Sequence, residues 1–96
     1  MRPYRLSHQA RADLDEIWTY SVGKWGRRKA ADYLRHIRLA VELVAERPEL
    51  GGQHEGIGSD YRKRPVGSHV IFYRAGEVVE IVRFLHQNMD IRLHLG

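Results

Sequence analysis

The chain has 96 residues and a mass of 11.2 kDa. That is one small domain, able to bury roughly 64% of its unfolded surface, with no room for a second domain or a deep cofactor cleft. Apolar residues at 43% and charged residues at 29% exclude wholesale disorder. The absence of cysteine excludes disulfides, thiol catalysis and thiolate metal sites. No apolar run approaches the length of a bilayer span, and arginines stand where a signal peptide would carry its apolar core. These features point to a cytosolic protein.

The net charge of +4 is unevenly spread. Residues 1–38 carry nine basic and four acidic groups, residues 39–59 one and four, and residues 60–96 six and four. Basic ends around an acidic middle fit nucleic acid or an acidic protein as partner, or simply a soluble surface rich in arginine.

In chain order, Tyr4-Arg5-Leu6 is a short candidate strand, and Ser7 is a suitable N-cap for a helix beginning at the next residue. Ala10, Leu14, Ile17, Trp18 and Ser21 recur at helical spacing and predict a helix over residues 8–22. Asp13, Asp15 and Glu16 are expected in solvent, with Gly23 as the stop. A second helix is expected from Gly26 to Glu46, with Ala30, Tyr33, Leu34, Ile37, Val41 and Val44 as its apolar stripe. So short a link predicts an antiparallel helical hairpin.

The four glycines between Gly51 and Ser59 predict an exposed loop. Tyr61 to Val66 is a basic strand whose Pro65 places it at an edge or ends it. His69 to Arg74 and Glu77 to Leu85, separated by Ala75-Gly76, form a hairpin. Residues 87–96 alternate Met89, Ile91, Leu93 and Leu95, which suits a further strand or a loose tail.

The order β-α-α-β-β-β predicts an α+β domain, with a helical hairpin packed on one face of a small, mainly antiparallel sheet. In the last strand, Val79, Ile81, Arg83 and Leu85 alternate with Val78, Glu80, Val82 and Phe84, so neither face is polar throughout. Helices can cover only one face. The other either exposes apolar surface for a protein partner or lies beneath the C-terminal tail.

Three groups of residues invite a chemical reading. The six histidines lack the spacing of metal ligands on one helical turn, so no metal or other cofactor is expected. Lys24, Trp25, Arg27, Arg28 and Lys29 crowd a helix start, where each cation costs a few tenths to about 1 kcal/mol against the macrodipole. A solvated hairpin tip, or a site for an acidic partner or phosphates, accounts for them. Arg62, Lys63, Arg64, Arg74, Arg83, His86 and Asp90 share the sheet region. Arg62, Arg83 and His86 would serve phosphodiester cleavage, which needs cations and proton carriers. Alternatively, Arg83, His86 and Asp90 form a polar clasp for the C-terminal segment.

Three runs carry a family resemblance: Leu6-Ser7-His8-Gln9-Ala10 onward to Tyr20, Val66-Gly67-Ser68-His69 onward to Arg74, and Val79-Glu80-Ile81 through Leu85-His86-Gln87-Asn88 to Ile91. In this order and separation the chain resembles the ParE toxins of the RelE/ParE superfamily, from type II toxin–antitoxin systems. The resemblance implies the fold argued above and a cytoplasmic toxin neutralised by a ParD-type antitoxin. That antitoxin would bind DNA itself and lay an acidic, amphipathic tail on the toxin. It also implies inhibition of DNA gyrase by binding, without catalysis. A RelE-like, ribosome-dependent mRNA endonuclease is the alternative, for which the C-terminal tyrosine of that branch is missing, and a non-toxic antitoxin-binding homologue is a third. Candidate contacts with antitoxin or target are Trp18, Trp25, Arg27, Arg28, Lys29, Arg62, Arg64, Arg74, Arg83, His86 and Asp90.

Overall fold

A computed structural model describes residues 3–53 and 60–94. Strand β1 (Tyr4–Leu6) leads through Ser7 into helix α1 (His8–Trp25), and helix α2 (Arg27–Glu46) comes after Gly26 alone. A 3-10 turn at Pro48–Leu50 precedes β2 (Gly52–Gln53), then β3 (Tyr61–Val66), β4 (His69–Arg74), β5 (Val79–His86) and a last 3-10 turn at Ile91–Leu93. The sheet order is β1-β5-β4-β3-β2, with β1 parallel to β5 and every other pair antiparallel. Two helices on a five-stranded sheet is the α+β architecture expected. Most of the glycine loop, residues 54–59, lies outside the described residues, but its start pairs with Lys63 and Arg62 as β2.

The Ser7 hydroxyl does cap α1, accepting from the Ala10 amide at 3.0 Å. The helix runs past Gly23, however, and ends at Gly26, whose φ of +86° suits the residue without a side chain. A mid-helix glycine costs only about 1 kcal/mol against alanine. The extra turn seats Trp25 edge-on against Tyr33, with ring centroids 5.9 Å apart.

The helices cover one sheet face. Ile17, Ile37, Val41 and Val44 pack on Ile71, Tyr73, Val79, Ile81 and Phe84. Trp18, expected in the stripe, is instead exposed. Phe84 joins Val79 and Ile81 because β5 carries a bulge: Phe72 pairs with Arg83 while Tyr73 pairs with Ile81, leaving Val82 as the extra residue. The mixed polarity of both faces results from that change of phase. Beyond it, Leu85 turns to the far face with Phe72 and Val70, where Ile91 covers them at 1% exposure. The C-terminal segment is therefore neither a strand nor a loose tail, and the far face is not left bare.

Asp13 is the other departure. It is buried, not solvated, on the α1 face that holds Ala10, Ile17 and Ser21. Strand β1 stops at Leu6, so the edge of β5 from Val82 onward has no neighbouring strand. Ser7 donates its amide to the Ile81 carbonyl (2.9 Å) and its hydroxyl to the Val82 carbonyl (2.7 Å). Asp13 then accepts the Phe84 amide at 2.9 Å. Polar side chains of the α1 approach thus complete the sheet edge, as buried backbone groups require.

Candidate functional site

Where α1 ends, the β3–β4 turn and the end of β5 converge on a cleft of about 620 Å³. Ile17 and Phe84 form its apolar floor, Leu85 borders it with its side chain packed on the far face, and Tyr20, Trp25 and Tyr33 are its aromatic walls. Lys24 stands at the rim, its ammonium 5.7 Å from the Tyr20 ring centre and 5.4 Å from that of Trp25. Met89 and His94 line it from the C-terminal segment.

Arg83 ties this segment down. Its Nε and Nη2 donate to the two Asp13 oxygens, each at 2.8 Å, and its Nη1 donates to the His94 carbonyl at 2.7 Å. Hydrogen bonding to Asp13 raises the proton affinity of the guanidinium further, against a smaller opposing effect of burial. Of the expected clasp of Arg83, His86 and Asp90, Arg83 alone grips the C-terminal segment at the His94 carbonyl, its carboxylate partner is Asp13, and His86 Nδ1 instead accepts the Asn88 amide. Asp90 accepts the Arg92 amide and side chain, starting the final 3-10 turn.

His69 opens β4 directly opposite His86, which closes β5. The rings meet edge to face with centroids 5.6 Å apart. Tyr33 Oη lies 2.6 Å from His69 Nδ1 and accepts the Ser68 amide at 3.0 Å. The Tyr33 ring occupies the space that a Gly67 side chain would need, and Gly67 has φ +56°. Burial, and then the neighbouring His86, hold the His69 proton affinity below the usual histidine range, against a smaller pull from Asp13. The unfolded chain therefore binds this proton more readily than the folded one. Stability from this group is complete above about pH 6.5 and is lost as pH falls through the lowered value. Melting temperatures measured from pH 8 to pH 5 should fall on the acid side. His69→Gln should flatten that fall, and an unchanged slope would contradict the assignment.

The remaining candidates are dispersed. Trp18 is exposed on α1, and Arg27, Arg28 and Lys29 are exposed in the first turn of α2. Arg62 donates to the Gly51 carbonyl at 2.8 Å, and Arg64 faces Ile71 in the β3–β4 register. Arg74 pairs with Glu80 and lies 5.4 Å from the Tyr61 ring centre. Arg83 and His86 meet at the cleft, but Arg62 sits two strands from Arg83 and does not line it. Among the described residues no three His, Asp or Glu side chains converge as metal ligands, and no helix is long and apolar enough to cross a membrane. Tyr33, His69 and His94 line the cleft but were not among the candidate contacts, Tyr33 having been assigned to the α2 stripe; the hairpin register, which sets His69 against His86, was the signal for two of these histidines.

The family model described as the ParE toxin of type II toxin–antitoxin system, parDE, matches residues 4–91. The chain belongs to the ParE toxin family. Among relatives in the family, it is 53% identical over 96 residues to Toxin ParE1 of Caulobacter vibrioides, covering 100% of both chains. It is 42% identical over 94 residues to Toxin ParE1 of Mycobacterium tuberculosis, covering 96% of each. A solved structure titled "Chromosomal ParDE TA system from P. aeruginosa" superposes with a TM-score of 0.77 at 21% identity, over 90% of this chain and 96% of that one. The fold of this ParE family member is thus shared with a solved one.

Proposed function

We propose that this chain is the toxin of a type II toxin–antitoxin pair, acting in the cytoplasm by binding DNA gyrase, without catalysis, and silenced by a ParD-type antitoxin. The observation that carries this reading is the full-length likeness to Toxin ParE1. The cleft supports it: an apolar floor and aromatic walls suit an amphipathic segment, with Lys24 at the rim as a partner for an acidic side chain. Trp25, His86 and Arg83 line that cleft, while Trp18, Arg27, Arg28 and Lys29 are exposed elsewhere on the two helices. The state of the arginines favours binding over phosphodiester chemistry. The side chain of Arg83 is 13% exposed and held by Asp13, and Arg62 is held by Gly51. Arg83 is thereby neutralised, and Arg62 lies two strands away from it, so the pair does not converge on one phosphate.

The test is a supercoiling assay with purified gyrase. The chain should block supercoiling, and prior mixing with its ParD-type antitoxin should restore it. Unimpaired supercoiling together with ribosome-dependent cleavage of mRNA would overturn the proposal in favour of the endonuclease.

A further inference from the structure

Lys24, Arg27, Arg28 and Lys29 carry four positive charges, as many as the net charge of +4 on the whole chain, so the remainder is neutral on balance. No acidic residue occurs from Ser21 to Ala31. Lys24 stands in the last turn of α1, where a cation is favourable. Arg27, Arg28 and Lys29 open α2, where the macrodipole opposes them. Gly26 brings no side-chain cap to that end, and the first acid of the helix, Asp32, is held by Arg35 at 2.6 Å. All three cations are exposed, and among the described residues none of them has an ion pair or a side-chain hydrogen bond. Folding stability does not account for them.

Successive helix residues point about 100° apart, so these three fan around the end of α2 over a front roughly 10–12 Å across. One acidic side chain would meet one of them. A polyanion meets all three, and duplex DNA carries a charge about every 1.7 Å along its axis. Single strands, with sparser charge, gain less from each contact. Protein docking needs an apolar or aromatic anchor beside the charges. Between positions 24 and 29 the only such side chain is Trp25, already packed edge-on with Tyr33. We propose that the tip of the helical hairpin, Arg27, Arg28 and Lys29 with Lys24 beside them, is a contact for the phosphate backbone of duplex DNA, independent of base sequence. Each cation displaces condensed counterions as it meets a phosphate, and their release supplies the affinity. The contact does not depend on the cleft or on how the chain acts on gyrase.

The experiment follows the full chain binding a fluorescein-labelled 20-base-pair duplex of arbitrary sequence, by anisotropy at pH 7.5. Three to four phosphate contacts predict binding that tightens roughly 40- to 150-fold as salt is lowered from 200 to 50 mM. Arg27→Gln/Arg28→Gln/Lys29→Gln should leave only about a fourfold change. Arg11→Gln/Lys63→Gln/Arg64→Gln removes the same charge from other residues without ion pairs, and should keep the parent's salt dependence within about twofold. Because the tip cations oppose the macrodipole, the tip variant should melt no lower than the parent, which separates lost charge from lost fold. No measurable binding at 50 mM salt, an equal loss in the two triple variants, or a tip variant melting several degrees lower would each overturn the contact. Poly-glutamate displacing the duplex as well as unlabelled DNA does would overturn it in favour of an acidic protein. Tighter binding of a single strand than of the duplex would overturn it too. Unimpaired gyrase inhibition by the tip variant is expected, since the contact is separate from that activity.

Discussion

Asp13→Ala should cost about 3–5 kcal/mol of folding stability, because it strands a mostly buried guanidinium. Arg83, with a side chain 13% exposed, would lose both charged contacts, and the Phe84 amide its acceptor. The His94 carbonyl cannot replace a carboxylate. Against a total of about 5–15 kcal/mol for such a domain, this brings the chain close to unfolding. Urea unfolding at 25 °C measures it, with Asp15→Ala on the exposed side of α1 as a control within about 0.5 kcal/mol. Replacing the pair together, Asp13→Leu with Arg83→Met, should recover much of the loss, since only an unpaired buried charge is strongly unfavourable. A loss below about 1 kcal/mol in Asp13→Ala would mean that the pair is well solvated.

Gly51→Ala is the second large effect, and its cause is steric. A Cβ at this buried position would stand 2.0 Å from the Tyr73 hydroxyl oxygen. That oxygen cannot step aside: Tyr73 is fully buried, and its hydroxyl donates to the Pro48 carbonyl at 2.6 Å. Something in the core must shift, which places the cost toward the upper end of the roughly 1–3 kcal/mol usual for overpacking. Gly51→Ala/Tyr73→Phe should regain part of it, because removing the hydroxyl relieves the closest contact. A single Gly51→Ala variant melting within a degree or two of the parent would show that this turn has room to move away from Tyr73. Gly52, with open space at its own Cβ position, is the control for backbone entropy.

The elements that were legible in advance are those whose signal is local. The stripe from Ala30 to Val44 specifies α2 because its period repeats over five turns, and all but the half-buried Tyr33 and Leu34 are buried. The β4–β5 hairpin is legible because two β-branched runs flank a short polar turn. Pro65 neither ends β3 nor makes it the edge strand, for pairing with β4 continues through Pro65 to Val66. The edge is β2, whose two residues reach only Arg62 and Lys63 and leave the Pro65 side open where no amide is needed. The misread residues all depend on partners distant in sequence. Asp13 looks like any exposed helix acid until the β5 edge, 70 positions later, presents the Arg83 guanidinium and the Phe84 amide. The Val82 bulge changes which face Phe84 and Leu85 occupy, and a strict two-residue alternation cannot express an extra residue. Gly23 carries the right chemistry for a helix stop, but Gly26 carries it too. The Trp25–Tyr33 contact decides between them.

By itself the amino-acid order determined the family, the succession of elements and their layering, because apolar period and turn chemistry act over a few neighbouring residues. Only the folded arrangement decided what the cleft is. His69 and His86 stand 17 positions apart, Tyr33 and Ser68 lie on different elements, and the arginine nearest them is neutralised by a helix residue. Local patterning places a side chain on a face. Which donors remain free on that face depends on every long-range partner having been assigned, and that assignment exists only once sheet, hairpin and C-terminal turn have closed on one another.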